Sequence, residues 1–485
     1  MAASVVSRVA GLGALTAAGQ LIIVGTLPAY SRVFDPGTYG EYVVFVGAFT
    51  VLSVLAGVRY ESAIVLPRNP GIAASLTALV LLIALAVATL IVGATFAAEL
   101  LRLVPDNWAA VELHFGCALA TATMLGALQR CLGSWCVRGG RFLRMGWAQL
   151  VFCLVQVVAQ LSFATVMNPL AALVWGYACA LGFQVLCLVG PGPRARFPVP
   201  TPASALRGMR IAARKYRRFP TYMVGYALAS SARDRLVQIV LLLGAGAAAV
   251  GRFGLAYRVT FAPNSLIYSA VSPVFYGIAS RGDKLAVGRF AAGLVEATFV
   301  VLVVPYLAFA IEAPVLTDAV LSDKWRGTGP YLQALAAPAL LLAATCWLDR
   351  AFDSFRRQHV ALALEASFTT VAVIVVACLS KLTDPVSVTW VFGVLALGYY
   401  WIYFLFTFVA CGFQLKGFRH ACVIGLLTSG TALLLGLLVH RIAEIAWRLP
   451  AYIAVMVSVI ALWTWLLGGA ANLRMLVQSR VGDSS

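Results

Sequence analysis

Apolar runs cut by short polar segments recur along the whole chain. A membrane crossing needs about 20 apolar residues. On that measure the pattern predicts about fourteen spans, near 9–30, 41–58, 73–97, 113–130, 147–166, 170–190, 220–243, 253–276, 290–311, 331–349, 360–379, 386–410, 421–439 and 450–470. The short link VMNPL at 166–170 makes the fifth and sixth an antiparallel pair. The reading is an all-α polytopic membrane protein.

Composition agrees. Of 485 residues, 62% are hydrophobic and 11% charged, with a mean hydropathy of +0.92; a soluble domain carries roughly 25% charged residues. The formal net charge is +18. On a soluble protein that excess suggests nucleic acid. Here it lies between spans, where Lys and Arg set orientation, so no nucleic acid is implied. If the N-terminus is cytoplasmic, the inside segments hold 25 of the 36 lysines and arginines. Two outside segments are acidic, with Glu99, Asp106 and Glu112 in one and Glu312, Asp318 and Asp323 in the other. Both termini are therefore read as cytoplasmic. Cys117, Cys153, Cys179, Cys187, Cys346 and Cys378 lie in apolar runs as small hydrophobes. Cys131 and Cys136 lie near a basic loop read as cytoplasmic, where thiols stay reduced, and no structural disulfide is expected. His114, His359, His420 and His440 lack ligand spacing, so no metal site is expected. The first apolar run is long enough to span and shows no clear cleavage site.

The longest hydrophilic segment, PGPRARFPVPTPASALRGMRIAARKYRRFP (191–220), begins Pro-rich, as a stiff linker does. Its second half has the pattern of a basic helix, with Leu206, Met209, Ala213 and Tyr216 on one side and Arg207, Arg210, Arg214 and Arg217 on others. It is either a helix lying on the anionic leaflet or an ordinary positive-inside anchor. The chain divides accordingly into an N-terminal lobe of six helices (1–190), a basic cytoplasmic linker (191–219), a C-terminal lobe of six (220–415), and two further helices with a tail (416–485). A short internal repeat accompanies the division. DPGTYGEYVVF (35–45) and GAAAVGRFGLA (246–256) align Gly40 with Gly251, Tyr39 with Val250 and Tyr42 with Phe253, at an offset of 211. Six spans per half make it a parallel repeat, a transporter plan with its site at the repeat interface.

TLPAYSRVFDPGTYGEYVVF (26–45) with LAGVRYESAIVLPRNPGIAASL (55–76) resembles the N-terminal signature of Wzx-type polysaccharide flippases. These belong to the multidrug/oligosaccharidyl-lipid/polysaccharide (MOP) exporter superfamily. YRRFPTYMVGYALASSARDRLVQIVLLLGAGAAAVGRFGLAYRVTFAPNSLI (216–267) is similar to the start of their second half. The resemblance covers most of 9–310 and is loose beyond. It implies two six-helix lobes around a central cavity, plus two extra helices, in a bacterial inner membrane. It also implies movement of an undecaprenyl-pyrophosphate-linked oligosaccharide from the cytoplasmic to the periplasmic leaflet. A polysaccharide polymerase or export machinery is a candidate partner, and no cofactor or catalytic residue is implied.

One predicted span is interrupted by charge. In YMVGYALASSARDRLVQIVLLLG (222–244), Arg233, Asp234 and Arg235 sit mid-helix, where each is expected to cost ~2.5–3.5 kcal/mol on insertion scales. Ser230, Asp234 and Gln238 share a face, with an arginine at each edge. The functional reading is a cationic wall that takes a pyrophosphate, because arginine matches phosphate oxygens bidentately; the alternative is an ion pair. Arg258, a turn and a half into the eighth span, either lines the cavity or snorkels outward. Arg59 and Glu61 end the second span and either gate the cytoplasmic mouth or anchor it. Gln149, Gln156 and Gln160 share one face of the fifth span, suited to sugar hydroxyls or to helix–helix hydrogen bonds. Asp234 and Glu365 are the candidates for proton or sodium coupling. Two rival classes remain. A cation-coupled multidrug exporter favours an acidic cavity, against these arginines. A polysaccharide polymerase or ligase needs a large outside loop, whereas the longest loop here is inside.

Overall fold

A computed structural model describes residues 2–67, 69–101, 109–189, 202–217, 224–279, 283–355 and 357–466, and these are almost entirely helical. In chain order they form α1 (Ala2–Gly25), α2 (Leu27–Val33), α3 (Pro36–Gly57), α4 (Tyr60–Ala63), α5 (Pro70–Leu100), α6 (Ala109–Arg138), α7 (Phe142–Phe163), α8 (Pro169–Val189), α9 (Pro202–Lys215) and α10 (Val224–Ala245). There follow α11 (Ala247–Ala279), α12 (Lys284–Val320), α13 (Gly329–Thr345), α14 (Asp349–Ser354), α15 (Gln358–Leu379), α16 (Pro385–Cys411), α17 (Leu415–Ile442) and α18 (Ile445–Leu466). Among the described residues 11 helices are long and apolar enough to cross a membrane. The charged α10 and α11 and the C-terminal α18 supply the rest of the about fourteen expected. Leu21, Leu90, Phe96, Leu243 and Leu434 present largely exposed side chains on these helices, as lipid-facing surfaces do.

The chain forms two compact units, Met1–Gly251 and Arg252–Ser485. In the first, Tyr177 of α8 is the centre of an aromatic cluster. Phe49 and Phe152 meet its ring edge-on at 5.3 and 5.5 Å, and Phe45 at 6.1 Å. Helix α3 starts where Asp35 caps it: its carboxylate accepts from the Thr38 amide at 3.0 Å, and Pro36 fills the first turn. The same D-P-x-S/T device starts α16 in the second unit, where Asp384 accepts from the Ser387 amide and hydroxyl. The Ser387 hydroxyl, with its amide, holds the Asp384 carboxyl below the usual carboxylate range.

One expected boundary holds and one moves. The second span ends within a residue of the expected 58. Helix α3 stops at Gly57, and Val58 and Arg59 follow at φ +46° and +59° before α4 begins. Left-handed backbone at a β-branched residue is costly, about 1–3 kcal/mol, and the reversal swings Glu61 inward. The ninth span does not end at 311. Helix α12 runs 37 residues to Val320, so Glu312, expected in an acidic outside loop, is a buried helical residue.

Candidate functional site

In the first unit α10 packs on α3, and Arg235 sits at the middle of α10. Its Nη1 donates to Oε1 of Gln238 at 3.1 Å, one turn further along the helix, and Gln238 is buried. Gly47 on α3 makes room for the arginine stem: a methyl there would lie 3.4 Å from Arg235 Cδ. The structure thus brings Arg235 and Gln238 together on one surface. The side chains of Arg233 and Asp234 lie outside the described residues. Two turns before Arg235's level, α3 also crosses the start of α11, at Gly40 and Gly251.

The reversal at Val58–Arg59 builds a second polar cluster. Glu61 is 4% exposed and lies over Gly57, where any Cβ would come 2.3 Å from its Oε2. Its charge partner is Arg130 of α6, at 3.9 Å. Arg130 donates from Nη2 to the Ser53 carbonyl at 2.5 Å. Glu61 Oε2, Arg130 Nε, Arg59 Nε, Ser53 Oγ and Thr123 Oγ1 are buried with no hydrogen-bond partner among the described residues. Sequence reading placed Arg59 and Glu61 at a mouth but missed Arg130, which counted only as a basic loop residue. Its four-residue spacing from Gly126 and Lys-free apolar flank are weak signals on their own.

The glutamines of α7 bond to neighbouring helices. Gln156, 2% exposed, donates to the Tyr42 hydroxyl of α3 at 2.9 Å. Gln160, fully buried, accepts from Tyr30 of α2 and donates to the Leu173 carbonyl of α8 at 2.7 Å. Gln149 accepts from Gln184 of α8 at 3.1 Å. These contacts are the helix–helix hydrogen bonds that such a face can make in lipid.

In the second unit Arg258 is half-buried, 11 residues after Ala247 and so about 17 Å along α11. That is three turns, deeper than the sequence suggested. Glu365 of α15 is buried and accepts a hydrogen bond from Tyr399 of α16, whose ring stacks on Phe368 at 4.2 Å. A further arginine site was not foreseen. Arg350 donates to Ser272 at 3.0 Å, to the Tyr268 hydroxyl at 2.7 Å and to Asp353 at 3.2 Å. Tyr268 in turn donates to Asp349 at 3.0 Å. Nor were the glutamates of α12. Glu296 meets His420 of α17 at 3.2 Å and accepts from the Trp463 indole of α18. Glu312 meets His440 of α17 at 2.8 Å, Arg448 of α18 at 2.8 Å and the Tyr452 hydroxyl at 3.1 Å. The last two helices are thus fixed to α12 at two levels by the same scheme.

Solved structures of similar fold are membrane transporters. Lipid II flippase MurJ in an inward closed conformation superposes with a TM-score of 0.68 at 10% identity, covering 94% of this chain and 98% of that one. An inward-facing multidrug resistance MATE transporter of the MOP superfamily gives 0.56 at 14% identity, over 84% and 94%. A MOP superfamily transporter from Pyrococcus furiosus, described as having a binding pocket of reverse polarity, gives 0.53 at 14%, over 84% and 96%. The chain therefore shares the fold of these transporters. A family model described as polysaccharide biosynthesis protein matches residues 30–330, and the chain belongs to that family. No curated protein sequence matches it.

Proposed function

We propose that this protein is a flippase that carries an undecaprenyl-pyrophosphate-linked oligosaccharide across the bacterial inner membrane, with both termini in the cytoplasm. The observation that carries the reading is Arg235, a cation at the middle of a membrane helix, oriented by Gln238. A diphosphate cannot enter a low-dielectric core without compensation. A guanidinium already held in place replaces part of its hydration. Family membership supplies the polysaccharide context. The step is transport by alternating access and makes or breaks no covalent bond. Arg233 and Arg258 are further candidates for the same path, and Arg59 and Glu61, with Arg130, for its cytoplasmic gate. A proton or sodium ion at Asp234 or Glu365 is the proposed coupling ion, and a polymerase or export machinery the proposed partner. An exporter of cationic drugs would have to pass the same arginine.

The test is polysaccharide export in a flippase-null strain complemented with Arg235→Ala, Arg235→Lys and Arg233→Ala/Arg235→Ala at matched membrane levels. Export should fall at least tenfold in the double variant, with lysine recovering only part of the single-site loss. Full export by the double variant would overturn the cationic path.

A further inference from the structure

We infer that α9 is a docking surface for anionic phospholipid headgroups and that, when occupied, it fixes α4 and the Glu61–Arg130 cluster. The inference needs only the membrane location of the chain, not the nature of its cargo.

The two faces of α9 differ. Gly208, Ala212 and Tyr216 recur at four-residue spacing and so share one face. Ala212 is fully buried, in a core shared with Ala56, Tyr60, Ala63, Ile64, Ala73 and Leu76. The approach is close: a Cβ at Gly208 would lie 2.4 Å from the Ser75 hydroxyl of α5. Tyr60, the first residue of α4, donates its hydroxyl to the Ala213 carbonyl at 3.3 Å. One face of α9 is therefore built into the junction where α3 ends, α4 turns and α5 begins.

The opposite face carries Arg210, Arg214 and Arg217, with Lys215 beside them, all exposed, and Ile211 is 55% exposed at its edge. From 191 to 220 the sequence has eight basic residues and no acidic one. Exposed cations flanking an exposed aliphatic side chain, on a helix packed against the ends of membrane helices, match an anionic leaflet surface. The headgroup phosphates meet the cations while the stems and Ile211 lie toward the acyl boundary. The mechanical link is the Tyr60–Ala213 bond. Tyr60, α9's anchor on α4, directly follows the strained pair Val58–Arg59, and Glu61 follows Tyr60. Lipid that holds α9 therefore holds the segment whose left-handed backbone sets the Glu61 carboxylate against Arg130.

The experiment is hydrogen exchange by mass spectrometry on the full chain in nanodiscs of phosphatidylcholine alone and of phosphatidylcholine with 30% phosphatidylglycerol, a composition taken at roughly the level at which surface potential acts. Exchange of 202–217 should slow about tenfold or more with the anionic lipid, the size that several basic side chains at a charged surface supply, and 58–66 should slow with it. Arg210→Gln/Arg214→Gln/Lys215→Gln should abolish both responses. Tyr60→Phe should keep the first and lose the second. Arg235→Ala, which disables the proposed transport path, should leave both intact. Equal exchange of 202–217 in the two discs overturns the proposal. So does equal protection in neutral discs from inorganic phosphate, or protection that tracks a second copy per disc. A wild-type response confined to 202–217 overturns the coupling to α4.

Discussion

Gly40 of α3 and Gly251 of α11 meet backbone to backbone. A Cβ on Gly40 would lie 1.9 Å from the Ala247 carbonyl oxygen, and a Cβ on Gly251 would lie 1.8 Å from that of Pro36. The contact is reciprocal: each glycine faces the carbonyl four residues before the other. Both pairs, 36 with 247 and 40 with 251, keep the offset of 211 at which the two sequence segments align. Reciprocity of this kind is what a local two-fold relation produces.

Gly40→Ala and Gly251→Ala should therefore each force the helices apart. The obstructing atom is backbone and cannot rotate away, so a cost of about 1–3 kcal/mol is expected for each. Because one separation relieves both clashes, the double variant should cost little more than either single one, well short of additivity. Thermal unfolding in detergent with a thiol-reactive dye measures this. An unchanged melting temperature in either single variant would show that the crossing is looser than described.

Glu312 is the anchor of the upper attachment of α17 and α18. Removing it leaves Arg448, 18% exposed at its side chain, without its carboxylate. Loss of one partner of such a pair costs about 3–5 kcal/mol. Glu312→Ala should loosen the hairpin, read as faster proteolysis near 443–446. Glu312→Met with Arg448→Met, which removes both charges, should restore much of the resistance. Equal cleavage of wild type and Glu312→Ala would count against the attachment.

Arg130 serves two acceptors at once, the Ser53 carbonyl and Glu61. A lysine has a single charged nitrogen and cannot span both. Arg130→Lys should therefore behave nearly as badly as Arg130→Gln in the export assay, and Glu61→Gln should resemble them. Normal export by Arg130→Lys would mean that charge alone suffices.

Asp384 gives a pH dependence of definite sign. Its folded carboxyl lies below the ordinary value, chiefly through the Ser387 hydroxyl and amide. The cap is thus fully present above the ordinary carboxylate pKa of about 3.9 and is lost as pH falls through the lower folded value. Opening of the first turn of α16, followed by exchange corrected for intrinsic rate, should increase below about pH 4. Asp384→Asn keeps an acceptor for the amide and should remove that dependence; a persistent one would assign it elsewhere.

The helices were legible because an apolar run of crossing length has few alternatives to a helix. The Arg235–Gln238 surface was legible for a similar reason: three residues apart on a helix are neighbours. What composition could not show were partners distant in sequence. Glu312 looked like the edge of an outside loop because a lone carboxylate suggests water. Its partners His440, Arg448 and Tyr452 lie more than a hundred residues further on. His420 and His440 showed no shared spacing because each meets a separate carboxylate of α12. The left-handed backbone that follows α3 was hidden too, since valine and arginine rarely adopt it and only tertiary packing imposes it.

The distance between those partners has a consequence for biogenesis. His440 follows Glu312 by 128 residues, and translation at ~5–20 residues per second delivers it roughly 6–26 s later. Throughout that interval the ribosome has released a helix whose carboxylates have no histidine to meet. The nascent chain must keep α12 near the translocon, or shielded by a chaperone, until its last two helices arrive. A polypeptide truncated after α16 would remain in that half-assembled state and be a substrate for membrane proteases, however complete its first sixteen helices were.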